Sequence, residues 1–213
     1  MDELLKYATA FGLASGAGAK ATVPLLLVGA FHHTPYFELS QRFQWIASPA
    51  VMAVLAVLLV LELWADAHPE LGWASDLAGY APKFVAGFLA FAASSGKLDP
   101  SLSKLAATGL MGGATAAGVH FLRNRLRRPV REHAEQVHES VGKAVTFTEA
   151  GFSAGVSALA ILLPLAALAL VVIGGGTSWA LSRRLSSPSA RCPNGHPLHP
   201  LARVCPHCKA LIA

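Results

Sequence analysis

Charge is scarce in this chain. Of its 213 residues only 14% are Asp, Glu, Lys or Arg, while 54% are hydrophobic, whereas a soluble globular domain carries about a quarter charged residues. So few charges cannot cover a water-facing surface, which excludes an ordinary soluble domain and makes lipid the expected solvent. Cysteine is scarcer still: Cys192, Cys205 and Cys208 are the only three, all close to the C-terminus. An odd number crowded into one tail excludes a disulfide framework across the body of the chain and favours a reducing, cytosolic setting for the tail. Met1-Asp2-Glu3 is acidic and lacks the basic start and small-residue cleavage site of a signal peptide, so the first hydrophobic segment is expected to be kept.

What is abundant is apolar sequence. Residues 45–61 and 154–173 carry no charge at all, close to the ~20 residues a bilayer crossing needs. Five hydrophobic segments can be read, at about 4–31, 45–66, 79–95, 105–122 and 150–182. The net charge is +5, and the basic residues gather in Arg123, Arg125, Arg127, Arg128 and Arg131 and in the tail from Arg183 to Lys209. Both clusters follow apolar segments directly, which fits the positive-inside bias and attraction to anionic headgroups. The arginine cluster is therefore expected to face lipid or a partner, and nucleic acid is not an expected ligand. Val130, Ala134, Val137, Val141 and Ala144 recur at helical spacing opposite Arg131, Glu132, Glu135, Gln136 and Glu139, which predicts an amphipathic helix over about 130–147 at the membrane surface or against protein.

The chain also echoes itself. Gly12-Leu13-Ala14-Ser15-Gly16-Ala17-Gly18-Ala19 resembles Gly109-Leu110-Met111-Gly112-Gly113-Ala114-Thr115-Ala116, and each run leads on to a proline-led apolar helix, after Ser48-Pro49 and after Leu163-Pro164. Two related halves are the expectation. Topology then meets a conflict, because one crossing over 150–182 would separate two basic regions that both read as cytoplasmic. A bend at Pro164 or at Gly174-Gly175-Gly176 that returns the chain is one resolution.

The tail carries the sharpest motif. Cys192-Pro193-Asn194-Gly195-His196 and Cys205-Pro206-His207-Cys208 form a C-x3-H and a C-x2-C knuckle eight residues apart, four nitrogen and sulfur ligands for one tetrahedral ion. Zinc accepts that set, and a closed site with no open position is structural. So short a tail cannot bury a sufficient core, so metal-binding free energy of about 10 kcal/mol or more would have to fold it. Cys192, His196, Cys205 and Cys208 are the expected ligands, with His199 and His207 as substitutes for His196. The tail resembles short zinc ribbons in which a histidine replaces one cysteine, which implies contacts with protein or, less often, nucleic acid.

Inside the apolar part, Lys20 stands in the first segment, where a charge costs roughly 2.5 to 3.5 kcal/mol at a helix centre. Glu62 and Asp66, one helical turn apart on the second segment, are its nearest candidate partners. They imply a buried ion pair or an ion or solute path. Gly12 with Gly16, and Gly109 with Gly113, have the small-xxx-small spacing of closely packed membrane helices. Gly151-Phe152-Ser153-Ala154-Gly155 matches G-x-S-x-G but opens an apolar helix with no strand before it, so no hydrolase is expected. Gly16-Ala17-Gly18-Ala19-Lys20 lacks the Lys-Ser/Thr end of a phosphate loop. His32, His33, His133 and His138 have no second ligand at metal spacing.

The membrane part resembles the bacterial membrane-protein family catalogued as domain of unknown function 4126. Gly16-Ala17-Gly18-Ala19-Lys20 with Pro24-Leu25-Leu26-Leu27, Phe43-Gln44-Trp45-Ile46-Ala47-Ser48-Pro49 and Glu62-Leu63-Trp64-Ala65-Asp66 carry the resemblance, which covers about residues 5–180. It implies a multi-pass protein of the bacterial cytoplasmic membrane. The arginine-rich stretch and the zinc tail depart from the pattern.

The expected architecture is an all-α integral membrane protein with four to five membrane helices in two related halves over 1–182, a linker at 183–190, and a small cytoplasmic zinc ribbon over 191–213. Two functions fit. One is a non-catalytic accessory or scaffold subunit of a larger membrane assembly, docked through the ribbon and the arginine-rich helix to other subunits or to further copies of itself. The other is a small channel or transporter with a path near Lys20 and Glu62. Scarcity of intramembrane polar residues favours the first.

Overall fold

Three prolines, Pro24, Pro49 and Pro164, set helix boundaries in this chain. In the computed structural model, which describes residues 2–67, 77–95, 102–134, 139–186, 190–191 and 197–198, the first apolar segment is two helices, α1 (Asp2–Ala19) and α2 (Thr22–His32). Pro24 has no N–H for the Lys20 carbonyl, and its ring would collide with that carbonyl. The helix is therefore interrupted at Lys20-Ala21, and α2 restarts with the proline in its first turn. A 3-10 turn, Gln41–Ala47, leads into α3 (Pro49–Ala67). Pro49 takes the first helical position, where a donor is not needed, and the Ser48 carbonyl accepts the Met52 amide at 2.9 Å. Next come α4 (Tyr80–Ser95) and α5 (Leu102–Ala134).

The expected segment 150–182 is likewise two helices, α6 (Glu139–Leu162) and α7 (Pro164–Ser186), because Pro164 withdraws the donor that the Ala160 carbonyl would use. A β-carbon on Gly12 would lie 2.5 Å from that of Ala160 and 3.5 Å from that of Ala167. Those two β-carbons are thus at most about 6 Å apart, against roughly 10.5 Å along a straight helix. The bend is at Pro164, and Gly174-Gly175-Gly176 lie within α7.

Of the surface helix expected over 130–147, residues 130–134 close α5 and residues 139–147 open α6, while residues 135–138 lie outside the described residues.

α1 is the central helix, packed against α4, α5 and α6. Its small side chains permit this: Ala10, Leu13, Ala14 and Ala17 are fully buried. A β-carbon on Gly16 would fall 2.3 Å from the Ser157 hydroxyl on α6. Between α4 and α5, Gly87 and Gly112 approach so closely that a β-carbon on Gly112 would meet the Gly87 carbonyl oxygen at 2.4 Å. The two glycine runs of the apparent repeat do different work. Gly12 and Gly16 admit α6, whereas Gly109 and Gly113 admit the Phe88 and Phe84 rings of α4.

Three described helices are long and apolar enough to cross a membrane, Pro49–Asp66, Ala144–Leu162 and Pro164–Arg183, fewer than the four to five expected. At 16 residues α4 is about 24 Å long, short of a core of about 30 Å, and α1 opens with Asp2, Glu3 and Lys6. On α3, Val54, Val57 and Val60 are more than half exposed, an apolar face suited to lipid. Trp45 and Trp64, both exposed, mark its two ends as interfacial tryptophans do.

The chain divides into two compact units, Met1–Ile173 and Gly174–Ala213. In the second, β1 (Ala190–Arg191) pairs antiparallel with β2 (Pro197–Leu198), Ala190 opposite Leu198 and Arg191 opposite Pro197. The expected metal ligands Cys192, His196, Cys205 and Cys208 lie outside the described residues.

Candidate functional site

The interruption at Lys20-Ala21 leaves the first amides of α2 without helical partners, and α3 supplies one. Glu62 accepts the Ala21 amide at 2.9 Å through Oε1, and the Thr22 hydroxyl at 2.9 Å and Thr22 amide at 3.4 Å through Oε2. A carboxylate at a helix N-terminus satisfies orphan donors and meets the positive end of the helix dipole. One turn further along α3, Asp66 forms an ion pair with Lys20, whose side chain is fully buried. Asp66 also accepts from Arg123 of α5 at 2.7 Å, and Arg123 reaches Glu149 of α6 at 2.5 Å. Three helices, α3, α5 and α6, and the α1–α2 junction are thereby tied through one chain of charges.

A second arm adjoins it. Lys83 of α4 places Nζ 2.9 Å from Nδ1 of His120 on α5, and the Asn124 amide nitrogen lies 3.1 Å from Nε2 of the same ring. The Tyr80 ring stands edge-on to His120 with centroids 4.6 Å apart. Lys83 and His120 are both buried. Lys20, Lys83 and Arg123 formally balance Glu62, Asp66 and Glu149, so the cluster can be buried without a net charge, which is the condition under which burial is tolerated.

From this cluster α6 carries a polar stripe deeper into the bundle. Thr146, Glu149, Ser153 and Ser157 recur at helical spacing; the Thr146 hydroxyl donates to the Asp66 carbonyl at 3.3 Å, and Ser153 donates to the Gly16 carbonyl at 2.8 Å. Three buried polar atoms in this region have no hydrogen-bond partner among the described residues: Arg123 Nε, Asn124 Oδ1 and Ser157 Oγ.

Lys20, Glu62 and Asp66 are thus brought together, with Lys20 paired to Asp66 while Glu62 goes to backbone. Arg123, expected in a cluster facing lipid or a partner, has a side chain only 8% exposed and held by two carboxylates of this chain, because Asp66 and Glu149 reach the α5 face that carries it. Arg125, two residues on, is exposed and stacks on Phe121 at 5.9 Å. The side chains of Arg127, Arg128 and Arg131 lie outside the described residues. Lys83, His120, Asn124 and Glu149 were not anticipated. The signal that singles out Lys20, an ionisable group inside an apolar segment, applies equally to Lys83 and His120. Ser153, the serine of the G-x-S-x-G match, is a fully buried helix residue bonded to backbone. Among the described residues no group of three His, Cys, Asp or Glu is placed to hold a metal.

A family described as Domain of unknown function (DUF4126) matches residues 7–184. The chain belongs to this family. The match takes in every residue of the buried cluster and ends before the cysteine-bearing tail. No curated protein and no solved structure matches the chain. Membership thus supports the helical membrane body and carries no activity with it.

Proposed function

We propose that this chain is a small channel or transporter of the bacterial cytoplasmic membrane, moving a small ion or polar solute along the buried seam that runs from Ser157 to the Asp66–Arg123 pair. The observation that carries this reading is the seam itself, set against a helix broken at Lys20-Ala21. Ionisable groups inside apolar helices are expensive and usually mark a path, and interrupted helices with exposed backbone ends are how transporters build midplane sites. The scarcity of polar lining that favours a docking subunit in sequence is offset by the buried Lys20, Thr22, Lys83, His120, Asn124, Thr146, Ser153 and Ser157. Arg123 Nε and Ser157 Oγ, buried without partners, are free to meet water or solute.

In the topology that goes with this reading, α3 ends, α5 ends and α6 begins on the cytoplasmic side, where the arginines lie. The turn at Pro164 lets α6 and α7 cross as two spans, which returns the tail to the cytoplasm and removes the topological conflict. Four to five crossings in two related halves remain the proposed architecture.

The accessory-subunit reading keeps one specific support. Gly174–Ala213 is a unit of its own, and its β1–β2 pair brackets Cys192 and His196 as the two sides of a knuckle would. A structural zinc held by Cys192, His196, Cys205 and Cys208, in a tail that docks other subunits, follows from that support and the ligand spacing.

The test is flux through the full-length protein in proteoliposomes. Lys20→Leu leaves Asp66 paired with Arg123, so the body should still assemble. Loss of flux with assembly intact supports the path. A wild-type preparation that passes no ion or solute, and copurifies stoichiometrically with other subunits, supports docking instead.

A further inference from the structure

Lys83 and His120 are the buried ionisable pair that the ion-paired chain does not use. A lysine Nζ 2.9 Å from an imidazole nitrogen cannot face a second proton on that nitrogen. Two cationic groups in direct contact inside a bundle also cannot both carry charge. The pair therefore holds at most one positive charge between its two members. With Lys83 as ammonium, which only donates, Nδ1 of His120 accepts and the ring proton sits on Nε2. That N–H needs an acceptor, and Asn124, 3.1 Å away, provides one when its amide is turned with Oδ1 toward the ring. The same turn gives Oδ1 a partner and places the amide NH2 where no acceptor lies among the described residues.

We propose that Lys83 and His120 form a proton-binding site in which one proton is exchanged across the Nζ to Nδ1 contact, and that this pair is the proton-carrying element of the path. The inference rests on the transport reading above. The step balances: Nζ gives up a proton to Nδ1, leaving a neutral amine and an imidazolium whose Nε2–H stays on Asn124; the reverse transfer restores the start, whereas release of a proton from the ring leaves both members neutral until the Lys83 amine takes up another proton. Among the described residues, the titratable and charged groups of the surrounding elements include Tyr80 beside the ring on α4, Arg123 on α5, Lys20 at the α1–α2 junction, Glu62 and Asp66 on α3, and Glu149 on α6. Glu62, Asp66 and Glu149 bring negative charge to this neighbourhood, and Lys20 and Arg123 bring positive charge; ion pairs tie Lys20, Asp66, Arg123 and Glu149 to one another, and Glu62 accepts the Ala21 amide.

The experiment has two readouts on the full chain. First, 15N NMR of histidine-labelled protein in nanodiscs, with the His120 signal identified by its loss in His120→Gln, reports the tautomer. A neutral ring with hydrogen on Nε2 at neutral pH is expected; hydrogen on Nδ1, or an imidazolium, overturns the assignment. Second, proton uptake is followed with a pH dye trapped in proteoliposomes. His120→Gln and Lys83→Met are each expected to slow it tenfold or more, the second variant guarding against misfolding of the first because it leaves the imidazole in place. Wild-type flux that both variants retain overturns the carrier role and leaves the transport reading standing. Wild-type liposomes that pass neither proton nor solute overturn the transport reading itself, and the carrier with it.

Discussion

Glu62 accepts the amide of Ala21 at 2.9 Å across the gap where α1 stops and α2 begins. A proline four residues after Lys20 makes the gap, and a carboxylate from another helix closes it. Local sequence and tertiary packing thus meet at one point.

The capping role predicts a graded loss. Glu62→Ala removes a charged acceptor from three donors and should lower stability by about 1 to 3 kcal/mol. Glu62→Gln keeps an acceptor oxygen at the same place and should fall between the two. Thermal melts of purified protein in one detergent would order the three. Equal stability of all three would show that the α2 terminus is satisfied some other way.

Asp66 sits between Lys20 and Arg123, so removing its charge leaves Lys20 without its ion-pair partner and Arg123 with Glu149 alone of its two. Asp66→Asn is expected to destabilise by about 3 to 5 kcal/mol. Adding Lys20→Met should recover part of that loss, because the stranded ammonium is gone and Arg123 keeps Glu149. The double-mutant cycle measures the coupling directly; strictly additive losses would refute a direct Lys20–Asp66 pair.

How much of this was legible beforehand differs residue by residue. Lys20, Glu62 and Asp66 stand out because each is a charge within or at the end of an apolar run, and Pro24 and Pro164 are visible as breaks. Which carboxylate takes the lysine is not visible, since the backbone amides freed by Pro24 compete for Glu62. Arg123 was assigned outward with its neighbours, because a run of arginines looks uniform in sequence. Helical geometry divides the run, turning Arg123 to Asp66 and Glu149 while Arg125 lies over Phe121. Glu149 has no partner visible in the sequence, because the direction it faces depends on α6 running from Glu139.

The glycines give a contrast between packed and open positions. A β-carbon on Gly112 would lie 2.3 Å from Phe91 Cβ and 2.4 Å from the Gly87 carbonyl oxygen, neither of which can swing aside. Gly112→Ala should cost about 1 to 3 kcal/mol by forcing α4 and α5 apart. At Gly175 no atom of the described residues lies within 4 Å, so Gly175→Ala should be neutral or slightly stabilising through helix propensity. Melts of the two variants should separate clearly, and similar melts would argue against the close α4–α5 approach.

The tail yields the last prediction. Its ligand spacing calls for one zinc per chain, measurable as metal content of the intact protein. Cys192→Ser, Cys205→Ser and Cys208→Ser should each lower that content sharply, because a tetrahedral site loses a quarter of its ligands and an anionic thiolate. Among the histidines, His196→Ala should lower it while His199→Ala and His207→Ala should not; the opposite result would move the fourth ligand to another histidine. Since Gly174–Ala213 clusters apart from Met1–Ile173, chelation should unfold the tail and leave the melting temperature of the membrane body unchanged. Zinc loss that also lowers the melt of the body would mean that the two units support each other. A protein that holds no zinc, with the β1–β2 pairing intact by amide exchange, would end the metal assignment.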